Sequence, residues 1–204
     1  LYTVMLPLTG VQAPPAPPPA PPTAQDALCA SDFSAGPATA RWDFTGPGWS
    51  WRDGALRFDG PDDATMLLDV TATTNFNIWI EFEAARDAVL GAFRATTRAL
   101  NPGVDYIAFA GGYDNTVTRM RVEGRGEVAG DMRGLAPGRH TLQFARRDDV
   151  LFLLLDGDLA GWYHDSSVPL VITRLGIIGI PGSQLAVFHA RVEVTPQSAL
   201  HKER

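Results

Sequence analysis

Cysteine and lysine are nearly absent from this chain of 204 residues. Cys29 is the one cysteine, which excludes an internal disulfide and any thiolate metal cage. Lys202 is the one lysine, so Schiff-base chemistry has almost no candidate. The formal net charge of −6 at pH 7 argues against a nucleic-acid binder, because neutralising phosphates needs a basic face.

Motifs of the common catalytic classes are absent as well. The sequence has no G-x-S-x-G elbow, no H-E-x-x-H pair and no phosphate loop. Gly111–Asn115 is glycine-rich but joins two predicted strands, whereas helix-borne phosphate binding needs a helix after the loop. We therefore expect no catalytic residues and no enzyme activity.

Charge is missing from the first 25 residues. Residues 14–22 are proline interrupted only by Ala16 and Ala20, so they should form polyproline II. The apolar residues 1–13 are too short to span a bilayer and are interpreted as the end of a secretion signal, a truncated anchor or a retained arm. We expect residues 1–38 to be an extended arm and linker that binds a partner through Leu1, Tyr2, Met5, Leu6, Pro14, Pro15, Pro17, Pro18, Pro19, Pro21 and Pro22.

From Thr39 to Val194 the sequence consists of short β-type runs separated by Gly, Pro, Asp and Asn. This pattern predicts an all-β, two-sheet antiparallel sandwich over residues 39–195 and a polar tail over 196–204. The twelve predicted strands are Ala40–Phe44, Ala55–Asp59, Thr65–Val70, Asn75–Ala84, Val89–Thr96, Val104–Ala110, Thr116–Glu123, His140–Arg146, Val150–Asp156, Leu159–Trp162, Arg174–Ile180 and Leu185–Val194.

Two local patterns support the strand assignment. In Phe76–Glu83 the even-numbered positions are apolar, as a half-buried strand requires. Asp156-Gly157 lies between two predicted strands and is the strongest short hairpin signal in the chain. With a turn at Arg147-Asp148-Asp149, the sequence predicts a meander from His140 to Trp162.

Several of these segments resemble one family. Trp49-Ser50-Trp51-Arg52-Asp53-Gly54-Ala55-Leu56 resembles the W-x-W-x-D-G-x-L opening of bacterial concanavalin A-like domains, which are related to laminin-G modules and to the family 16-like and keto-disaccharide-hydrolase-like folds. Pro137-Gly138-Arg139-His140-Thr141-Leu142 and Leu155-Asp156-Gly157 resemble the hairpin of that family. The resemblance spans Ala40 to Val194 and implies a jelly-roll sandwich. Its motifs describe turns and core positions, so it bears on fold more than on function.

The family includes glycosidases, which need two carboxylates about 5 Å apart when they retain configuration. Glu81 and Glu83 have the alternate spacing that places both on one face of a strand. The enzymes' signature is E-x-D-x-x-E, and this chain has Arg86 where the third carboxylate belongs. We interpret the pair as part of a solvated polar face and keep a degenerate glycoside hydrolase-like domain as a second alternative.

Two kinds of ligand remain open. A sugar ring stacks on an exposed aromatic side chain beside Asp, Asn or Arg, and the candidates are Trp49, Trp51, Tyr113, Asp114, Asn115 and Trp162. No cofactor is expected, although laminin-G-like domains often carry calcium at a sandwich rim. The weak calcium candidates are Asp59, Asp62 and Asp63, whose ordinary role in turns is the favoured explanation.

Two functional hypotheses follow. The favoured one is a non-catalytic structural or accessory subunit, tethered by its arm to other protein subunits of an extracytoplasmic or membrane-bound assembly. A bacterial energy-transducing complex such as a photosynthetic reaction centre is one example, which no residue supports. The alternative is a lectin-like carbohydrate-binding module. Both place the protein in the bacterial periplasm or at the cell surface, with membrane proximity through the N-terminus.

Overall fold

The computed structural model describes residues 17–21, 29–33, 41–93, 106–122, 124–165 and 171–195. The strands in these ranges are β1 (Cys29–Asp32), β2 (Trp42–Thr45), β3 (Trp49–Arg52), β4 (Ala55–Phe58), β5 (Ala64–Thr73), β6 (Asn75–Glu83), β7 (Ala88–Phe93), β8 (Tyr106–Gly111), β9 (Val117–Val122), β10 (Gly126–Asp131), β11 (His140–Arg147), β12 (Val150–Leu155), β13 (Asp158–His164), β14 (Ile172–Gly179) and β15 (Ala186–Thr195). One short turn, α1 (Gly112–Asn115), lies between β8 and β9, and Tyr113, Asp114 and Asn115 in it have left-handed, positive φ.

These strands form two antiparallel sheets, which confirms the predicted sandwich. Sheet A has the order β13-β12-β11-β6-β15-β4-β3, with β1 also paired to β15. Sheet B has the order β10-β9-β8-β7-β14-β5-β2. No helix in the described ranges is long and apolar enough to cross a membrane.

The core lies between the two sheets and fixes which face of each strand points outward. Because successive side chains alternate, β6 sends its even-numbered residues from Phe76 to Phe82 into the core. Leu142 and Phe144 of β11 lie opposite Ile80 and Ile78 and join the same core. Burying one such side chain contributes roughly 1.5–3 kcal/mol, so a one-residue slip in register would be costly.

The predicted meander is confirmed. Strand β11 pairs with β12 and β12 pairs with β13. Asp156 and Gly157 have φ of 55° and 81°, the left-handed values that a tight two-residue hairpin turn requires. Asp148 also has positive φ, at 56°, in the preceding turn.

Three strands and one boundary differ from the predictions. Strand β1 pairs with β15 in sheet A, so the sandwich begins before residue 39 and the 1–38 segment is not all arm and linker. Its sequence, Cys-Ala-Ser-Asp, is too short and polar to give a strand signal. Strand β10 contains two glycines and a register shift between Glu127 and Ala129, which hides its alternation. Strand β3 lies in the segment that resembles the family motif and is not among the twelve predicted strands.

Candidate functional site

Three loops meet at one end of the sandwich: residues 84–87 before β7, 111–116 between β8 and β9, and 180–185 before β15. Backbone hydrogen bonds connect them. The Asp87 amide donates to Gly111 O at 3.1 Å, and the Ala85 amide donates to Ser183 O at 2.8 Å. We call residues 84–87, 111–116 and 180–185 the loop cluster, because they form one connected surface.

The backbone of the loop cluster is unusual. Eight non-glycine residues in the described ranges have positive φ, and five of them lie here: Asp87, Tyr113, Asp114, Asn115 and Gln184. The other three are aspartates in hairpin turns, where this conformation is common. A left-handed non-glycine residue costs about 1–2 kcal/mol, and such residues cluster where a surface is held in one shape for a task.

Asn115 holds the turn between β8 and β9. Its Nδ2 donates to Leu135 O at 2.8 Å, and its Oδ1 accepts from the Leu135 amide at 2.6 Å. Gly134 packs so closely that a Cβ there would lie 2.0 Å from Asn115 O. Both polar atoms of the Asn115 side-chain amide are therefore bonded to Leu135. We assign Asn115 to positioning the turn rather than to contacting a ligand.

Tyr113 is the exposed aromatic side chain of the loop cluster, with 61% of its surface accessible. The Arg119 guanidinium lies 3.8 Å from the centroid of its ring, and its hydroxyl donates to Glu127 Oε1 at 2.7 Å. Arg119 and Glu127 form an ion pair with each other. These contacts fix the ring and cover one of its faces, which leaves the opposite face to solvent. An open cavity of about 370 Å³ adjoins it, bordered by exposed Met132.

Three charged side chains surround the Tyr113 turn. Arg86 Nη1 donates to Asp114 Oδ1 at 2.8 Å, and Arg86 Nε lies 3.5 Å from Asp87 Oδ2. Burial raises the pKa of the Asp87 carboxyl, Arg86 opposes this effect, and the charge of Asp114 adds to it. Carboxylates that accept and a guanidinium that donates are suited to a ligand rich in hydroxyl groups.

Known structures share this architecture, although no protein-family model and no curated protein matches the chain. A Bacillus subtilis protein of unknown function with a galectin-like fold superimposes with a TM-score of 0.61 at 12% identity, covering 82% of this chain and 96% of its own. The fold is that of the concanavalin A-like jelly rolls. The Emp47p carbohydrate recognition domain gives a TM-score of 0.56 at 10% identity, covering 76% of this chain and 89% of its own. The exoplasmic/lumenal domain of VIP36 in its Ca²⁺/Man3GlcNAc-bound form gives 0.52 at 11% identity, covering 76% and 83%.

The predicted sugar-binding residues do not all come together. Tyr113, Asp114 and Asn115 lie in the loop cluster, but the three tryptophans lie elsewhere. Trp49 packs against the core, Trp51 donates its Nε1 to Phe33 O at 2.7 Å on an edge strand, and Trp162 is half-buried on β13. Sequence reasoning did not single out Asp87, Arg119 or Glu127, whose contacts with the turn depend on strand pairing.

Glu81 and Glu83 share the outward face of β6, as their spacing predicted. Both pair with Arg139, at 2.9 Å and 3.7 Å respectively. The Arg139 guanidinium also lies 3.8 Å from the centroid of the Phe188 ring. The two glutamates thus belong to an ion-pair network on the outside of sheet A.

The calcium candidates do not form a site. In the part of the chain that the structure describes, no group of three or more His, Cys, Asp or Glu residues lies close enough together to hold a metal ion. Asp59 pairs instead with Arg52 at 2.6 Å, and Asp62 and Asp63 are exposed in their turn.

Of the predicted partner-binding arm, Pro17, Pro18, Pro19 and Pro21 are described, whereas Leu1, Tyr2, Met5, Leu6, Pro14, Pro15 and Pro22 lie outside the described residues. Pro19 O accepts a hydrogen bond from Gln143 Nε2 and Ala20 O accepts one from Asn77 Nδ2, each at 2.9 Å. The described part of the arm therefore lies on the chain's own sheet A, where the sequence hypothesis had assigned it to a partner. Tethering to a larger assembly stays a prediction.

Proposed function

We propose that this protein is a non-catalytic, lectin-like carbohydrate-binding module whose site is the loop cluster. The observation that carries the proposal is the ring of Tyr113, which Arg119 contacts on one face and which is 61% exposed, in a loop cluster that also holds Arg86, Asp87 and Asp114. A sugar stacks its apolar C–H face on an aromatic ring while its hydroxyls bond to neighbouring charged groups.

The site is organised before any ligand arrives. Asn115 fixes the turn, and the contacts of Tyr113 with Arg119 and Glu127 fix the ring. Side chains that are already ordered lose little conformational freedom on binding, so more of the contact energy is expressed as affinity. This compensates for a shallow, solvent-exposed surface.

The fold supports the same ligand class. One similar structure is a carbohydrate recognition domain, and another is an exoplasmic/lumenal domain with a mannose-containing glycan bound. An extracytoplasmic location is part of this proposal.

The proposal is tested by screening the full chain on a glycan array and measuring the affinity of the best ligand by calorimetry. Tyr113→Ala removes the stacking surface, which is worth roughly 1.5 kcal/mol, so we expect about tenfold weaker binding. Trp51→Ala is the matched control, because Trp51 is also an exposed aromatic but lies on the edge of sheet A. The proposal is wrong if no glycan binds, or if Trp51→Ala weakens binding and Tyr113→Ala does not.

A further inference from the structure

At strand β12 the outward face of sheet A is apolar, whereas a solvent-facing strand is normally polar. In β12, Leu151, Leu153 and Leu155 point into the core, so Phe152 and Leu154 point outward. Phe152 and Leu154 are nevertheless only 1% and 7% exposed. An outward-facing phenylalanine with almost no accessible surface shows that this face is covered.

Two buried amides lie beside these apolar side chains. Gln143 of β11 is the cross-strand partner of Leu154. Asn77 of β6 is the partner of Ala145, which is itself paired with Phe152. Gln143 Nε2 donates to Asn77 Oδ1 at 2.9 Å, and Asn77 Nδ2 lies 3.5 Å from Glu193 Oε2. Both amides are about 95% buried or more, at 5% exposure for Asn77 and 3% for Gln143.

The same two amide groups hold the arm. Each NH₂ group has two hydrogens, and after the contacts within the sheet one remains on each group. These remaining hydrogens go to consecutive arm carbonyls, from Gln143 to Pro19 O and from Asn77 to Ala20 O. Gln143 and Asn77 therefore bind two successive carbonyl groups of one extended segment.

This arrangement fits polyproline II in particular. Proline has no amide hydrogen, and a polyproline II segment makes no internal hydrogen bonds, so its carbonyls need donors from outside. Side-chain amides on the face of the sheet supply these donors. Pairing as an added strand is not available to proline residues, because they have no amide hydrogen to donate. Trp79, paired with Gln143 and lying 5.1 Å from the Arg191 guanidinium, adds the aromatic surface that proline-rich ligands favour.

The described residues of the arm, 17–21, do not fill this face completely. An open cavity of about 380 Å³ remains beside Pro19, lined by Asn75, Asn77, Arg147 and Glu193. The part of the face next to Pro19 can therefore accommodate more of a bound segment than the described arm residues place there.

We propose that the outward face of sheet A is a binding site for proline-rich segments in the polyproline II conformation. Asn77 and Gln143 are its hydrogen-bond donors, and residues 17–21 of the chain are its built-in ligand. A proline-rich peptide of another molecule competes with the arm for the same donors. This site is separate from the loop cluster, so this proposal does not depend on carbohydrate binding.

The test uses the full chain and the side-chain amide resonances of Asn77 and Gln143 in ¹H–¹⁵N spectra. In one variant the arm carries Pro17→Gly, Pro18→Gly, Pro19→Gly and Pro21→Gly, which keeps every carbonyl but removes the preference for polyproline II. A synthetic peptide with the sequence of residues 14–22 is then added to this glycine-arm variant and to the unmodified chain.

We expect the glycine substitutions to shift both amide resonances and the peptide to return them toward their original positions in a saturable manner. The unmodified chain should bind the peptide at least roughly tenfold more weakly, because its tethered arm competes at a high effective concentration. Gln143→Met in the glycine-arm variant should abolish the response. Thr141→Val is the matched control, since Thr141 lies on the same face of β11 and should leave the response unchanged.

Two results would overturn the proposal. If the glycine substitutions leave the chemical shifts of Asn77 and Gln143 unchanged, the arm is not held by these amides. Peptide binding that survives Gln143→Met at full strength would show that the peptide binds elsewhere.

Discussion

Two replacements of Asn115 can measure separately what its hydrogen bonds and its left-handed backbone contribute to the stability of the Tyr113 turn. Asn115→Gly keeps access to the observed φ of 65° but removes both hydrogen bonds to Leu135. Asn115→Ala removes the same bonds but, unlike the glycine variant, keeps a Cβ, which is strained in the left-handed region when the asparagine amide is gone. The two variants therefore differ only in backbone cost.

The magnitudes follow from the burial of Leu135, which is 6% exposed. Each lost hydrogen bond costs about 1 kcal/mol, and more if the abandoned Leu135 group stays out of contact with water. We expect Asn115→Gly to lower the free energy of unfolding by about 2–3 kcal/mol. Asn115→Ala should lower it by about 1 kcal/mol more, because left-handed alanine is strained.

Urea denaturation followed by tryptophan fluorescence measures these differences, and glycan affinity is measured on the same samples. Asp114→Ala is the control for the stability measurement only, since Asp114 has a φ of 56° but makes its side-chain contact to Arg86 at the surface. It should cost only the backbone strain of about 1 kcal/mol. Equal stability of Asn115→Gly and the unmodified chain would refute the role given to Asn115.

Two further predictions concern titrating groups. Because burial raises the pKa of Asp87 and asparagine tolerates its left-handed backbone, Asp87→Asn should unfold in urea at the same midpoint or higher at pH 7, while glycan affinity falls; a lower midpoint would contradict this reasoning. Burial by itself lowers the pKa of His140, but its hydrogen bonds to Ala136 O and Asp156 outweigh burial and raise it above 6.5. Its stabilisation is therefore complete below pH 6.5 and lost as pH rises through the raised pKa, a slope that urea titrations should show in the unmodified chain and not in His140→Gln.

The fold could be predicted because its main signals are local. Alternation in β6 and the Asp156-Gly157 turn each depend on a few neighbouring residues, and both are confirmed. Strand β1 escaped because it pairs with β15, which is distant in sequence. Strand β10 pairs with neighbouring β9, but its two glycines and a register shift hide the alternation. Their own residues carry little strand preference.

The candidate site was predicted only in part for the same reason. Tyr113 and Asp114 stood out as an aromatic and a carboxylate in a glycine-rich turn. Arg119 and Glu127 complete the surface only because β9 pairs with β10 and brings their side chains together under the ring. The commitment of Asn115 to Leu135 likewise joins positions 20 residues apart, which no local pattern encodes.

The sequence of β12 indicates that the outward face of sheet A is covered at this strand. Val150–Leu155 is an uninterrupted apolar run. Strand β6, which is separated from β12 by β11 in sheet A, has an alternating pattern instead. A strand in a two-layer sandwich needs only one apolar face, so a run without polar positions indicates that both faces are covered. Left bare, Phe152 and Leu154 would form an exposed apolar patch, which soluble proteins keep small. Cover supplied by proline adds no amide donors that would need partners, and the two amides on β6 and β11 satisfy the carbonyls that it does bring. A proline-rich segment is therefore the cover that this face accommodates with the fewest unpaired polar groups.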